Sequence, residues 1–546
     1  MLGFGLRSWL LWLVISAIVT STKDWEAVLV EGSPDYSRAC PNYKKYSTFP
    51  HRPLSDGDLA LPFQRPSIHC RTFNSPLVET VIEQVTGRMI DKDMARLFEN
   101  AFPNTLDTTV RWHVDGTEAS HSELKARGLR DEGKWEGPQS FVVTGDINAE
   151  WLRDSTNQLL QYQPLAKKDK QIFNLILGAI NTQAEYVIES PYCNAFQPPP
   201  PSKLPATQNG QEDFVHPVYE PGFVFECKYE LDSLAHFLAL GNTFANSTGS
   251  TDFMTKRWFK ALDTVLGVLD QQSQSTFDHT TGRFERNSYT FSRRTDAGTE
   301  TLSLGGVGNP LNFGTGLIRS AFRPSDDATI LGFYVPANAQ MAVELKRTAD
   351  VLRATKHLAL AQTLEKRSQA ITDGIWEHGV VNHKKYGRIF AYEVDGYGSQ
   401  IIMDDANVPS LLALPIMGFV DKDDKVYQNT RKMLLEKSSN PYYLQGTAFH
   451  GIGGPHIGLE YAWPMSLLLQ AMTSDDDKEI SECLGLVLKA SRLGLVHESI
   501  NVNKIMDYTR SWFAWANSVF AQTILDLAQR KPHLIFGPDA RPYVIE

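Results

Sequence analysis

From Ser75 to about residue 530, apolar positions recur at three- and four-residue intervals, the spacing that lines one face of an α-helix. The first run is the clearest. Ser75 supplies an N-cap, Pro76 suits a first turn, Glu79 follows early, and Val81, Ile82, Val85, Met89 and Ile90 fall at helical spacing. Comparable runs begin near residues 151, 168, 229, 252, 336, 357, 405, 422, 458, 476 and 511. Together they predict about twelve helices joined by loops of very unequal length. Strand signals are few; the best runs from Arg388 to Met403, where two apolar segments flank the hairpin pair Asp395-Gly396. Two polar excursions interrupt the helical pattern. One is opened by Pro198–Pro201 and reaches about Asp213, and the other spans about Asp278 to Thr301. Residues 22–74 carry no periodicity and read as an irregular N-terminal arm, and 531–546 read as a C-terminal tail.

The first 21 residues have a different character. Arg7 precedes an apolar run from Trp9 to Val19 that is too short to span a bilayer, and Val19 and Ser21 are small enough for a cleavage site. Residues 1–21 therefore read as a secretory signal, with an uncleaved anchor as the alternative. The expected product enters the secretory pathway and is secreted or retained there, with no stable membrane insertion once the signal is removed. The five cysteines (Cys40, Cys70, Cys193, Cys227, Cys483) suit that compartment. Their odd number leaves at least one thiol free, and Cys40–Cys70 and Cys193–Cys227 are possible bridges. No cysteine spacing matches a zinc site. Asn246-Ser247-Thr248 is a glycosylation sequon, so Asn246 is a candidate glycan acceptor. A net charge of −10 and a pI near 5.8 argue against a nucleic-acid partner.

Acidic residues near the predicted helix ends carry the candidate chemistry. Thr144 to Ser155 reads as a helix start with Asp146 as cap, placing Glu150, Asp154 and Gln158 on one face beside Arg153. That is a grip for sugar hydroxyls or, in the plainer reading, an exposed polar stripe. In Phe322-Arg323-Pro324-Ser325-Asp326-Asp327, Ser325 is a candidate cap and the two acids are either dipole partners or a pair whose repulsion raises one pKa. Glu498 lies between helical runs, 171 residues beyond Asp327 (498 − 327), followed closely by Arg510, Trp512 and Trp515. Two separated carboxyls are the minimum equipment of a glycosidase. Glu393 and His456 sit in a hairpin and a Gly-rich loop, each able to reach a ligand or to serve the fold alone. Lys228, Glu230 and Asp232 line a cleft or cap a helix. No serine elbow, zincin motif, dinucleotide fingerprint or EF-hand spacing is present in the sequence.

Seven segments stand in order: TGDINAEWLRDS, FRPSDD, YEVDGYG, MDDANVPSLL, GGPHIG, HESI and YTRSWFAWANS. Over residues 75–530 this series resembles glycoside hydrolase family 125, and the long form with a leader is similar to its fungal members. The resemblance implies an all-α fold, an (α/α)6 toroid of six inner and six outer helices with a few short hairpins. It implies an exo-acting α-1,6-mannosidase that inverts configuration, takes mannose-containing oligosaccharides or glycoprotein glycans, and uses no metal or cofactor. Its acid falls on Asp326 or Asp327, with Asp326 preferred, and its base on Glu498. Arg153, Asp154, Arg323, Glu393, His456, Arg510 and Trp512 become the sugar-binding candidates. The excursions near 195–213 and 278–301 have no counterpart in the compact bacterial pattern. Two other readings remain: a different toroid glycosidase, such as an α-1,2-mannosidase or a glucoamylase-like enzyme, and a glycan-binding pseudoenzyme.

Overall fold

A computed structural model describes residues 40–118 and 135–545; the proposed signal lies outside them. Among the described residues, twelve helices have eight or more residues. They are α1 (Pro76–Arg88), α2 (Lys92–Ala101), α3 (Leu152–Leu159), α4 (Lys170–Glu189), α5 (Leu231–Thr248) and α6 (Lys256–Gln272). There follow α7 (Val335–Ala354), α8 (Leu358–Gly374), α9 (Lys425–Leu434), α10 (Pro464–Met472), α11 (Asp477–Ala490) and α12 (Ala514–Arg530). The first starts as its sequence predicts: the Ser75 hydroxyl accepts from Val78 N–H, and Pro76 occupies a position whose N–H has no helical partner. It stops at Arg88, so Met89 is buried beyond its end and Ile90 is exposed.

From α3 onward, more deeply buried helices tend to alternate with helices that keep one wet face. Helix α3 is buried along its whole length, whereas α6, α9 and α11 bury one stripe. The buried helices form a run: α10 packs against α12, α12 against α3, α3 against α5, and α5 against α7. Between α7 and α10 in chain order, α8 packs on α7, and so does a short turn, Leu414–Met417. The helix expected near 405 is therefore reduced to that turn. Asp404 caps it from a distance, accepting from Leu411 and Leu412 N–H at 2.9 Å each.

Short strands decorate the helix ends. Strands β1 (Glu150–Trp151), β2 (Ala195–Phe196) and β4 (Val224–Glu226) form one antiparallel sheet, ordered β1-β2-β4. The two polar excursions meet each other, as β3 (Asp213–His216) pairs antiparallel with β5 (Thr290–Arg293). Arg293 seals that junction with a two-pronged bond to Asp213 (2.6 and 2.8 Å) and a third contact to Glu226 at 3.2 Å. The predicted hairpin forms: β7 (Glu393–Val394) pairs with β8 (Gln400–Ile401) and with β6 (Phe333–Tyr334), and Gly396 turns with φ +76°. Finally, β10 (Ile500–Asn501) lies between β9 (Tyr461–Ala462) and β11 (Lys504–Tyr508).

Cys193 and Cys227 are bridged, Cys40 and Cys70 are each engaged in a disulfide, and Cys483 is a buried free thiol. Asn246 is exposed in the last turn of α5. The tail after α12 docks on α1, where Tyr543 donates to Gln84 (3.0 Å) and the Arg88 guanidinium lies 4.0 Å from the Phe536 ring centre.

Candidate active site

An open cavity gathers at the N-terminal ends of the buried helices. Trp151, which precedes α3, lines it together with Arg153 and Asp154 from the first turn; Trp463 precedes α10, and Phe513 and Trp515 flank the start of α12. Helix N-termini carry partial positive charge, which suits the carboxylates collected there. Asp326, Glu498, His456, Arg510, Asp146 and Asn407 add polar groups to the lining.

Asp326 owes its position to its backbone. Residues 322–328 form a loop closed by a bridge between Phe322 and Ala328, with Arg323 N–H donating to Asp327 C=O at 2.8 Å. Ser325 caps no helix there; it donates to Asp327. At the tip, Asp326 adopts φ +69°, a left-handed conformation that costs a non-glycine residue on the order of 1 kcal/mol. The strain turns Asp326 into the cavity, while its neighbour Asp327 stays off the lining, held by Ser325 (3.1 Å). Burial, opposed by His456, pushes the Asp327 carboxyl up to about 6.

Arg323 and Glu393, expected at the sugar, support this loop from behind. Both are buried and off the cavity lining. Arg323 donates to Glu393 at 2.6 Å, and the second Glu393 oxygen accepts from Ile330 and Leu331 N–H at 3.0 and 2.9 Å. Thr299, from the second polar excursion, accepts from Ala328 N–H at 2.7 Å, so an inserted segment abuts the loop bearing Asp326.

Glu498 is held from the other side of the sequence. One oxygen accepts from the Thr509 hydroxyl (2.7 Å) and the other from Arg510 Nε (3.1 Å), and Arg510 also bonds Asp146. Asp146 is thus a partner of Arg510, and the N-cap of α3 is Trp151. His497 stacks flat on Tyr508 at 3.9 Å and shares a hydrogen bond with Arg510 C=O; burial lowers its pKa to about 4, which keeps it neutral. Trp512 is a correction of its own. It precedes the helix and is buried against Tyr43 (ring centres 5.1 Å) and beside Gly145, while Trp515 faces the cavity. His456 reaches the cavity because Gly454 lets the backbone pass Asp405, which a Cβ would approach to 3.0 Å.

Beneath the cavity lies a charged floor. Arg153 bonds Glu230 at 2.6 Å and Asp232 at 3.4 Å, its Nε is 3.3 Å from Asp154, and its guanidinium lies 5.5 Å from the Trp515 ring centre. The stripe on α3 is therefore buried, and Arg153 pairs with these acids instead of Glu150. Burial raises Asp154 to about 7 and Asp232 to about 6, with Arg153 opposing in both, and it raises Glu230 well above the carboxylate range. Burial also pushes on Asp326, but Lys228 and then Arg153 outweigh it and hold that carboxyl below its usual value. Trp151, Trp463 and Asn407 were not among the sequence candidates. Their signal is positional: two tryptophans directly before buried helices, and an amide beside an acid.

Residues 91–525 match the family described as metal-independent alpha-mannosidases, glycoside hydrolase family 125. The chain belongs to this family. It is a glycoside hydrolase, an α-mannosidase. It is 55% identical over 500 residues to the meiotically up-regulated gene 157 protein of Schizosaccharomyces pombe, covering 91% of this chain and 94% of that one. It is also similar to a metal-independent α-mannosidase of Streptococcus pneumoniae, solved in a non-productive complex with α-1,6-mannobiose. That likeness has a TM-score of 0.71 and 32% identity, over 83% of this chain and 99% of the other.

Proposed function

We propose that this α-mannosidase is an exo-acting, inverting enzyme that removes the non-reducing terminal mannose from α-1,6-linked chains. One observation carries the reading: Asp326 and Glu498, from segments far apart in sequence, open onto the same cavity, each held by its own support. The floor of Arg153 and Asp154, backed by buried Glu230 and Asp232, is closed and fits a chain end better than a continuous chain. The aromatic rings of Trp151, Trp463 and Trp515 offer apolar faces for a sugar ring. The α-1,6-mannobiose bound to the Streptococcus relative supports the linkage. The run of buried helices from α10 through α12, α3 and α5 to α7 supports an (α/α)6 toroid, with Leu414–Met417 standing for one inner helix.

In this mechanism Asp326 gives a proton to the glycosidic oxygen as the C1–O bond breaks. Glu498 takes a proton from a water whose oxygen bonds C1 on the opposite face, so β-mannose leaves first. Arg510 and Thr509 fix the plane of Glu498 so that it faces the water. General acid or base catalysis contributes roughly 10²–10⁴-fold. Asp326→Asn and Glu498→Gln should each lower kcat on α-1,6-mannobiose by that amount, with thermal melting and mannose binding retained. Near-parental turnover in either variant removes that residue from its role.

A further inference from the structure

Asp326 is not an isolated carboxyl. Directly behind it lies Glu230, fully buried at the N-cap of α5, and the Asn194 side-chain amide lies between the two, 3.1 Å from Glu230 Oε1 and 3.5 Å from Asp326 Oδ1. The far oxygen of Glu230 is fixed by Arg153 at 2.6 Å and Ser233 at 2.9 Å. Lys228 and Arg153 act on Asp326, and Lys228 also pairs with Glu226 at 3.3 Å. Three buried carboxyls (Asp154, Glu230, Asp232) and the half-buried Asp326 thus crowd two full cations, with His456 on the cavity side. Such a cluster cannot be fully ionised out of water, so it keeps protons.

On the reading that Asp326 is the general acid, we infer that Glu230 is a positioning residue that stores the catalytic proton, so that the working acid is the Asp326–Glu230 pair. Of the two, only Asp326 lines the cavity, so the proton can leave only through it. In the resting site the proton rests at the Glu230 end, where burial favours the neutral form. A glycosidic oxygen docking at Asp326 displaces water there and offers an acceptor, which draws the proton along the direct hydrogen bond between the two carboxyls, from Glu230 to Asp326. Transfer to that oxygen as C1–O breaks leaves both carboxyls ionised, Glu230 against Arg153 and Asp326 beside Lys228. The pair is reprotonated from solvent after the product leaves, as Glu498 gives up the proton it took from water.

The test compares two substrates in Glu230→Gln. Glutamine keeps the shape and a hydrogen bond but has no proton to supply, leaving Asp326 ionised under Lys228 and Arg153. With α-1,6-mannobiose, whose leaving group needs protonation, kcat/KM should fall by about 10²–10³-fold, and its alkaline limb should move to lower pH. With 2,4-dinitrophenyl α-mannoside, whose leaving group needs no acid, kcat/KM should stay within a few-fold of the parent. Equal losses on both substrates, or an unmoved alkaline limb, overturn the inference and leave Glu230 as structural support. If Glu230→Gln does not fold, Glu230→Asp, which draws the carboxyl back from Asp326, should show the same selectivity at smaller size, and equal losses there overturn it too. Asp326→Asn separates this from the parent proposal. Loss confined to mannobiose in Asp326→Asn, with none in Glu230→Gln, sinks the storage role alone; full activity in Asp326→Asn sinks the acid assignment itself.

Discussion

Adjacent acids divide their labour through backbone conformation. Asp326 and Asp327 are indistinguishable in sequence, and a left-handed φ at the first puts one carboxyl in the cavity and the other behind it. A single sequence does not disclose that φ, because aspartate tolerates either region. Burial was equally hidden. Glu150 looked like part of a wet stripe, yet it is fully enclosed, accepts from Val142 N–H at 3.1 Å, and is pushed by burial from 4.5 up to about 8. The folded chain therefore keeps a proton that the unfolded chain releases. The associated stability is fully present below about pH 4.5 and is lost as the pH rises to about 8. Glu150→Gln cannot titrate, so its melting temperature should gain on the parent steadily between pH 5 and 8. A gap that does not change across that range contradicts the burial argument.

Helix periodicity survives at the scale of elements because each helix needs only its own apolar stripe, and α1 begins at the residue its cap announces. Termini beside the site were less legible. A polar run such as Thr144–Glu150 suggests capping, but here those side chains answer Arg510 and Val142, and α3 begins at Leu152. The pairing of β3 with β5 joins segments some 75 residues apart (290 − 215) and had no local sign. The Arg293 side chain holds it together at 7% exposure, facing Asp213 at 2% and Glu226 at 11%. Removing one partner of a buried ion pair costs about 3–5 kcal/mol. Arg293→Ala should therefore lower the denaturation free energy by that order, and a loss below 1 kcal/mol would show that the sheet does not depend on this contact.

For the whole molecule, helices can be counted along the chain, but which of them meet cannot. Contact between α3 and α12 joins residues more than 350 apart, and only packing reveals it. The same packing brings Asp326, Glu498 and three tryptophans to one end of the buried helices, where a sugar can be gripped and cleaved. The motif series resembled the family before any contact was known; which members of each motif face the cavity required the fold. The paired roles of Asp326 and Glu498 are written in the stereochemistry of the first product. Purified enzyme incubated with α-1,6-mannobiose in the presence of EDTA, followed by NMR of the anomeric protons, should release β-mannose before mutarotation sets in. Early α-mannose would contradict the inverting arrangement of Asp326 and Glu498, and cleavage that EDTA abolishes would contradict a mechanism carried by the two carboxyls alone.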